Sequence, residues 1–126
     1  MPRPKSPTLT DAELRLMEIL WRRGPSAVSD VVDALPEESR PAYSTVLTTL
    51  RILEDKGYVA HTKRGRAFVY DALIRKDEAR RSALRRLLSQ FFGNSAEQLV
   101  LNVLENEEID AEELARLRRR IAEEAR

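Results

Sequence analysis

The first half of the chain places apolar residues at the spacing of short α-helices. The first helix is predicted to begin at a capping Thr10 or Asp11 and to end at Gly24-Pro25. The second is predicted to begin at a capping Ser26 and to end at Pro36. The apolar positions that define these two helices are Leu14, Met17, Leu20 and Trp21, followed by Val28, Val31, Val32 and Leu35.

A third helix, predicted from Pro41 to Lys56, has two chemically different faces. The apolar face carries Tyr43, Val46, Leu50 and Leu53, with Leu47 at its margin. The opposite side carries Ser44, Thr48 and Arg51, flanked by Thr45 and Ile52, with Thr49 nearer the apolar face. Hydroxyl residues form helices less readily than the Glu and Lys typical of a solvated face. Their short side chains fit close to a phosphate or a base edge, so this side of the helix is a candidate DNA-reading surface. Its predicted DNA-contacting residues are Ser44, Thr45, Thr48, Thr49 and Arg51.

After Gly57 the apolar pattern changes to the alternation of β-strands. Two β-prone runs, Tyr58–Thr62 and Ala67–Asp71, flank a short loop that contains Gly65, which predicts a hairpin. The loop carries three cations that we call the wing cations: Lys63, Arg64 and Arg66. Three helices followed by a hairpin with a basic tip form a winged helix-turn-helix, whose third helix lies in the major groove of DNA. The wing cations would neutralise phosphates or enter the minor groove.

The net charge of +1 conceals a strong segregation of charge along the chain. Residues 39–53 and 56–70 contain no carboxylate, whereas residues 87–115 contain no Lys or Arg. The first two segments therefore suit a polyanionic partner, and the third would repel one. Residues 1–8 form a basic, proline-rich leader that is either a frayed terminus or an arm that reaches for phosphate.

The composition argues against an enzyme. The chain has 0 cysteines and a single histidine, His61, which exclude thiolate chemistry and multi-histidine metal sites. It has no glycine-rich phosphate loop, so no cofactor and no metal are expected. No apolar run approaches the ~20 residues that span a bilayer, and residues 1–8 lack the apolar stretch of a signal peptide, so neither a membrane span nor a signal peptide is expected. A cytoplasmic protein is expected.

From Asp77 onward the pattern is entirely helical. Gly93-Asn94 ends one helix, a Ser95-x-x-Gln98 capping box begins the next, and Asp110 begins the last. Each of these three helices has only a narrow apolar stripe, which is too little to form a hydrophobic core within one copy of the chain. They predict packing against a second copy of the chain, and folding back onto the first domain is the alternative. The predicted dimerisation residues are Leu84, Leu87, Leu88, Phe91, Leu99, Val103, Leu104, Leu114, Leu117 and Ile121. The chain thus divides into a winged-helix domain, 1–74, and a helical dimerisation domain, 75–126.

Several segments resemble the penicillinase-repressor family (BlaI/MecI type) of bacterial transcriptional repressors. They are Leu9–Trp21, Ala42–Val46 with Leu53–Gly57, and Leu99–Asn102, in matching order and spacing. The resemblance implies a homodimeric repressor that binds a palindromic operator and blocks promoters of β-lactam-resistance or related stress genes.

The resemblance also implies a switch. In the family, a membrane sensor with a zinc-protease domain leads to cleavage of the repressor between an Asn and a Phe. The matching positions here are Asn102 and Val103, so the second residue departs from the family pattern. Alternatively, Asn102 is a polar surface residue and Val103 belongs to the dimer core. Related copper-responsive repressors bind metal through C-terminal cysteines, which this chain lacks.

A different class of function fits the same fold and charge. The chain could be a winged-helix protein-interaction module whose basic face binds an acidic partner protein. That alternative accounts for the segregated charge, but not for the hydroxyl-rich face of the third helix.

Overall fold

The computed structural model describes residues 8–125, which form six α-helices, a 3-10 helix and three short strands. In chain order the elements are α1 (Asp11–Arg23), β1 (Ser26–Ala27), α2 (Val28–Ala34), the 3-10 helix Glu37–Ser39, α3 (Tyr43–Asp55), β2 (Val59–Arg64), β3 (Ala67–Ala72), α4 (Lys76–Phe91), α5 (Ala96–Asn106) and α6 (Ala111–Glu124). The predicted fold class, mainly helical with a small β-hairpin, is confirmed. The basic leader, apart from Thr8, lies outside the described residues.

The chain divides into two compact units, Met1–Arg86 and Leu87–Arg126. The division lies inside α4, whereas the sequence pattern predicts a domain boundary between residues 74 and 75. The first unit therefore includes the beginning of α4 as well as the winged-helix elements. No helix within residues 8–125 is long and apolar enough to cross a membrane.

Helix α1 begins with a complete capping box. The Thr10 side chain accepts a hydrogen bond from the Glu13 backbone N–H at 3.2 Å, and the Thr10 N–H donates to the Glu13 carboxylate at 2.8 Å. Gly24, with a φ of 83°, ends the helix. Leu14 was predicted to lie on the apolar stripe but is 40% exposed, because the buried side of α1 is centred on other residues. These are Glu13, Leu16, Met17, Ile19 and Leu20.

The start of α2 differs from its prediction. Ser26 does not cap the helix, because its hydroxyl donates to the Gly24 carbonyl at 2.9 Å. Ala27 occupies the cap position, and its N–H donates to the Asp30 carboxylate at 3.3 Å. Ser26 and Ala27 instead form β1, which pairs antiparallel with Tyr70 and Val69. The sheet order is β1-β3-β2, so β1 adds a third strand to the predicted hairpin.

The hairpin turn is shorter than predicted. Strand β2 continues to Arg64, which pairs with Ala67, and Lys63 pairs with Phe68. The turn consists of Gly65 and Arg66, rather than the four residues 63–66. Only Gly65 of these two has a positive φ, at 61°, as in a type II′ turn. Two of the wing cations therefore stand on a strand of defined direction.

One apolar core fills the first unit. Its largest fully buried side chains include Tyr58, Tyr70, Met17 and Leu50. The indole N–H of Trp21 donates to the Ile74 carbonyl at 2.8 Å, which attaches the segment before α4 to α1. This core holds α3 against α1, α2 and the sheet.

The second unit has capped helices but no buried residue within its described part. Gly93 and Asn94 have positive φ values of 53° and 63°, and end the helix as predicted. The Ser95 side chain accepts the Gln98 N–H at 3.1 Å, and the Asp110 carboxylate accepts the Glu113 N–H at 2.7 Å. Both predicted starting points are therefore confirmed.

Candidate nucleic-acid interface

Helix α3 directs its hydroxyl-bearing face outward. Val46, Leu50 and Leu53 lie in the core, while Ser44 and Thr48 are exposed. Ser44 and Thr48, both predicted to contact DNA, are thus exposed on the same helix face, and no other described part of the first unit covers them.

Tyr43 departs from the prediction, since it is 50% exposed rather than buried on the apolar face. The core begins one turn further along α3, at Val46. Tyr43 therefore extends the exposed surface at the helix start.

The threonine hydroxyls of α3 are already engaged within the helix. Thr48 Oγ1 donates to the Ser44 carbonyl at 2.9 Å, and Thr49 Oγ1 donates to the Thr45 carbonyl at 2.9 Å. Since each hydroxyl hydrogen is used, these side chains present an oxygen lone pair and a methyl group outward. They are suited to accept a hydrogen bond from a base or to contact a thymine methyl, and less suited to donate to phosphate.

Two of the predicted DNA-contacting residues lie on a different flank of α3 from Arg51. Thr45 and Thr49 line a cleft of about 70 Å³ that also contains Arg15 of α1. Arg15 is exposed there and was not singled out from the sequence, because it lies in a helix with mixed charges. Its position beside two α3 residues makes it an additional candidate for phosphate contact.

Arg51 stands where α3 meets the wing. Burial raises the pKa of the Tyr70 phenol, the charge of the Glu54 carboxylate raises it further, and the nearby charge of Arg51 acts in the opposite direction. Arg51 is exposed and has no ion pair with the described residues. Arg51 therefore lies near Tyr70 and is exposed to solvent.

The wing cations are all exposed, and none forms an ion pair with another described residue. Because side chains alternate along a strand, Lys63 and Arg64 point to opposite faces of the hairpin. Arg66 occupies the turn itself. The positive charge therefore surrounds the tip rather than lining one face.

Three charged residues near α3 have roles that the sequence did not indicate. Arg40 donates to the carbonyls of Leu35 at 2.9 Å and Asp33 at 3.0 Å, so its guanidinium caps the end of α2. Asp55 is exposed and falls on the face of Ser44 by helical spacing, which adds a negative charge at the far end of α3. Glu54 binds His61. Asp55 would repel DNA phosphates, so we expect the contact surface on this face of α3 to end before Asp55.

Comparison with known proteins decides the family. Residues 9–123 match the family model described as penicillinase repressor. The penicillinase repressor of Bacillus licheniformis is 32% identical over 113 residues, covering 90% of this chain and 88% of that protein. The methicillin resistance regulatory protein MecI of Staphylococcus aureus (strain N315) is 21% identical over 114 residues, covering 90% of this chain and 93% of that protein. The chain belongs to the penicillinase repressor family.

A solved structure agrees with this assignment. The solution structure of the DNA-binding domain of the repressor BlaI is 33% identical, with a TM-score of 0.53, and covers 60% of this chain and 93% of that one. The prediction of a DNA-binding transcriptional repressor that is not an enzyme is confirmed.

The predicted dimerisation residues of the repressor lie on surfaces rather than in a core. The exposed ones are Leu84, Leu87, Phe91, Val103, Leu104, Leu117 and Ile121. The half-buried ones are Leu88, Leu99 and Leu114. Phe91 and Ile121 are the most exposed, at 74% and 67%.

The predicted cleavage position lies within α5. The Asn102 carbonyl accepts a hydrogen bond from the Asn106 side chain at 2.9 Å, and Val103 is 39% exposed. Asn102 also lines an open cleft with Phe91 and Phe92. The Asn102–Val103 peptide bond is therefore helical, with residues of α5 on both sides of it.

Proposed function

We propose that this repressor acts as a homodimer on a palindromic DNA operator, with α3 of each protomer in a major groove and the wing cations on the flanking phosphates. The observation that carries the proposal is the exposed face of α3. Ser44, Thr48 and Arg51 face solvent together, and the wing stands beside them without a competing ion pair among the described residues. DNA that occupies this space supplies the partners that the fold itself does not.

The second unit supports the homodimer. Large apolar side chains such as Phe91 and Ile121 are mostly exposed there, and exposed apolar surface of this extent is typical of an interaction site. A dimer presents two recognition helices to two half-sites about one helical turn apart. Binding of the second half-site is then intramolecular, which raises the affinity well above that of one protomer.

The relatives' names point to the regulated genes. One relative is a penicillinase repressor and another regulates methicillin resistance. We propose that the genes controlled by this repressor belong to β-lactam resistance or a related stress response. We propose a cytoplasmic location, because the proposed DNA partner of a bacterial repressor lies in the cytoplasm.

Proteolytic induction fits the same arrangement. A cut between Asn102 and Val103 would detach α6, with Leu117 and Ile121, from the rest of the chain. The winged-helix unit would stay folded, but the gain in operator affinity that comes from two linked protomers would be lost. Because proteases bind extended segments, α5 must open locally before a sensor-controlled protease could cut it.

A mobility-shift experiment tests the operator proposal. The full chain is mixed with genomic fragments that include its own promoter, in the presence of excess competitor DNA. We expect one promoter-containing fragment to shift selectively and a protected palindrome to appear on footprinting. An equal shift for all fragments would contradict specific recognition. No shift at protein concentrations of about 1 μM would favour an acidic protein as the partner of the basic face.

Sedimentation analysis tests the dimer. The wild-type chain is expected to sediment as a dimer, and Ile121→Glu to shift it towards monomer because a carboxylate replaces an apolar contact. Ser29→Glu, an exposed change in α2 of the first unit, is the matched control and should leave the dimer intact. A monomeric wild-type chain would refute this part of the proposal.

A further inference from the structure

His61 occupies a defined position on the side of β2 that faces α3. Its Nδ1–H donates to both carboxylate oxygens of Glu54, at 2.7 and 2.9 Å. Its ring centroid lies 5.4 Å from that of Phe68 and 5.4 Å from that of Tyr70. The imidazole is therefore fixed by one charged partner on α3 and two aromatic rings on β3.

This fixed ring still reaches solvent. The His61 side chain is 40% exposed, and Nε2, on the opposite edge of the ring from the Glu54 contact, has no hydrogen-bond partner among residues 8–125. A histidine–carboxylate hydrogen bond as exposed as this one contributes at most about 1 kcal/mol to stability. The arrangement leaves one oriented nitrogen available for a ligand.

The position of His61 indicates which ligand that is. Glu54 belongs to α3, and the ladder partner of His61 is Tyr70, beside which Arg51 lies. His61 thus stands in the junction between the helix expected in the major groove and the wing expected over the neighbouring groove. The DNA backbone that separates two adjacent grooves passes over such a junction.

We propose that His61 binds a backbone phosphate of the operator through Nε2–H, and that Glu54 is the positioning residue that holds the imidazole in place. The inference rests on the proposed DNA-binding function. In the complex both ring nitrogens donate, Nδ1–H to the Glu54 carboxylate and Nε2–H to the phosphate. His61 thereby lies between the Glu54 carboxylate, which alone would repel DNA, and the phosphate.

Salt-dependent binding tests the contact. A fluorescein-labelled duplex of about 30 base pairs, selected by the wild-type chain from a random library, is titrated by anisotropy at several salt concentrations. His61→Gln should weaken binding and flatten the plot of log K against log salt by about 1 per protomer. His61→Lys should keep the wild-type slope, because it restores a cation at the same place. Thr62→Gln, on the other face of the same strand, is the matched control and should keep the slope.

The role of Glu54 is tested by comparing the effect of Glu54→Ala on DNA affinity in two backgrounds, with and without His61. Glu54→Ala alone should weaken binding, because His61 loses its orientation. In the His61→Gln background the same change should strengthen binding, because it then only removes a negative charge beside DNA. Strengthening in both backgrounds would overturn the positioning role.

Two outcomes would overturn the phosphate contact. One is an unchanged salt slope for His61→Gln, whether or not its melting temperature falls. The other is a His61→Lys slope as flat as that of His61→Gln. A wild-type chain that selects no duplex would instead refute the proposed function, so the two failures are distinguishable.

Discussion

Replacing Lys56 by methionine tests how α3 is held at its C-terminal end. The Lys56 ammonium donates to the Glu13 carboxylate at 2.7 Å and to the Thr8 carbonyl at 3.1 Å. Glu13 is 4% exposed and also accepts the Thr10 N–H of the α1 capping box. One ion pair therefore joins the C-terminal end of α3 to the start of α1.

The magnitude follows from what the substitution leaves behind. Methionine keeps most of the aliphatic length but removes the charged partner of a buried carboxylate. Breaking a fully buried pair costs about 3–5 kcal/mol. Here the Lys56 side chain is 23% exposed, and Glu13 keeps the hydrogen bond from Thr10. We therefore expect Lys56→Met to lower the free energy of unfolding by about 2 kcal/mol, the typical value for a hydrogen bond to a charged group.

The loss should depend on pH. Burial by itself would raise the pKa of Glu13, but the hydrogen bonds from Lys56 and Thr10 outweigh it and hold the pKa below the ordinary 4.5. A lowered carboxyl pKa stabilises the fold above the unfolded value, and this stabilisation disappears as the pH falls through the folded pKa. Once Glu13 is protonated, Lys56 has no charge to pair with. The difference in unfolding free energy between wild type and Lys56→Met should therefore be largest near neutral pH and shrink as the pH falls below the ordinary carboxyl value of 4.5.

Urea unfolding at fixed protein concentration measures this difference, with the single tryptophan, Trp21, as the fluorescent reporter. Lys63→Met, at an exposed wing position, is the control and should change stability by less than about 0.5 kcal/mol. Adding Glu13→Gln to Lys56→Met should recover part of the loss, because no unpaired charge remains buried. A Lys56→Met variant as stable as wild type, or equally destabilised at neutral and acid pH, would refute this reasoning.

Three further predictions concern cations near the proposed interface. Arg51→Ala should weaken operator binding by about 1–3 kcal/mol and relax the sequence preference, which is measured by selection from a random DNA library. An unchanged sequence preference would show that Arg51 does not recognise a base. Replacing all three wing cations by Gln should weaken binding to every DNA sequence alike and flatten the plot of log K against log salt. A slope equal to that of the wild-type chain would contradict phosphate contact by the wing cations. Arg40→Ala should lower the free energy of unfolding by about 1 kcal/mol, because α2 loses its cap. Loss of DNA affinity without loss of stability would contradict that structural role.

Features with a local cause were predictable from the sequence. The α1 cap depends on Thr10 and Glu13, three residues apart, and the end of α4 depends on the positive φ of Gly93 and Asn94. The exposed and buried sides of α3 follow mostly from helical spacing, so Ser44 and Val46 face as expected. Each of these signals lies within a few residues of the structure that it specifies.

Features that depend on distant partners were decided by the tertiary structure. Strand β1 exists because Ser26 and Ala27 meet β3, which is more than forty residues away. Tyr43 is exposed because the core against which it would pack begins one turn later. The orientation of His61 also depends on a partner in another element, because Glu54 of α3 binds its imidazole. Helical and strand periodicity specify which side of an element is apolar, but only packing determines which groups meet across elements, and therefore which polar atoms remain available to DNA.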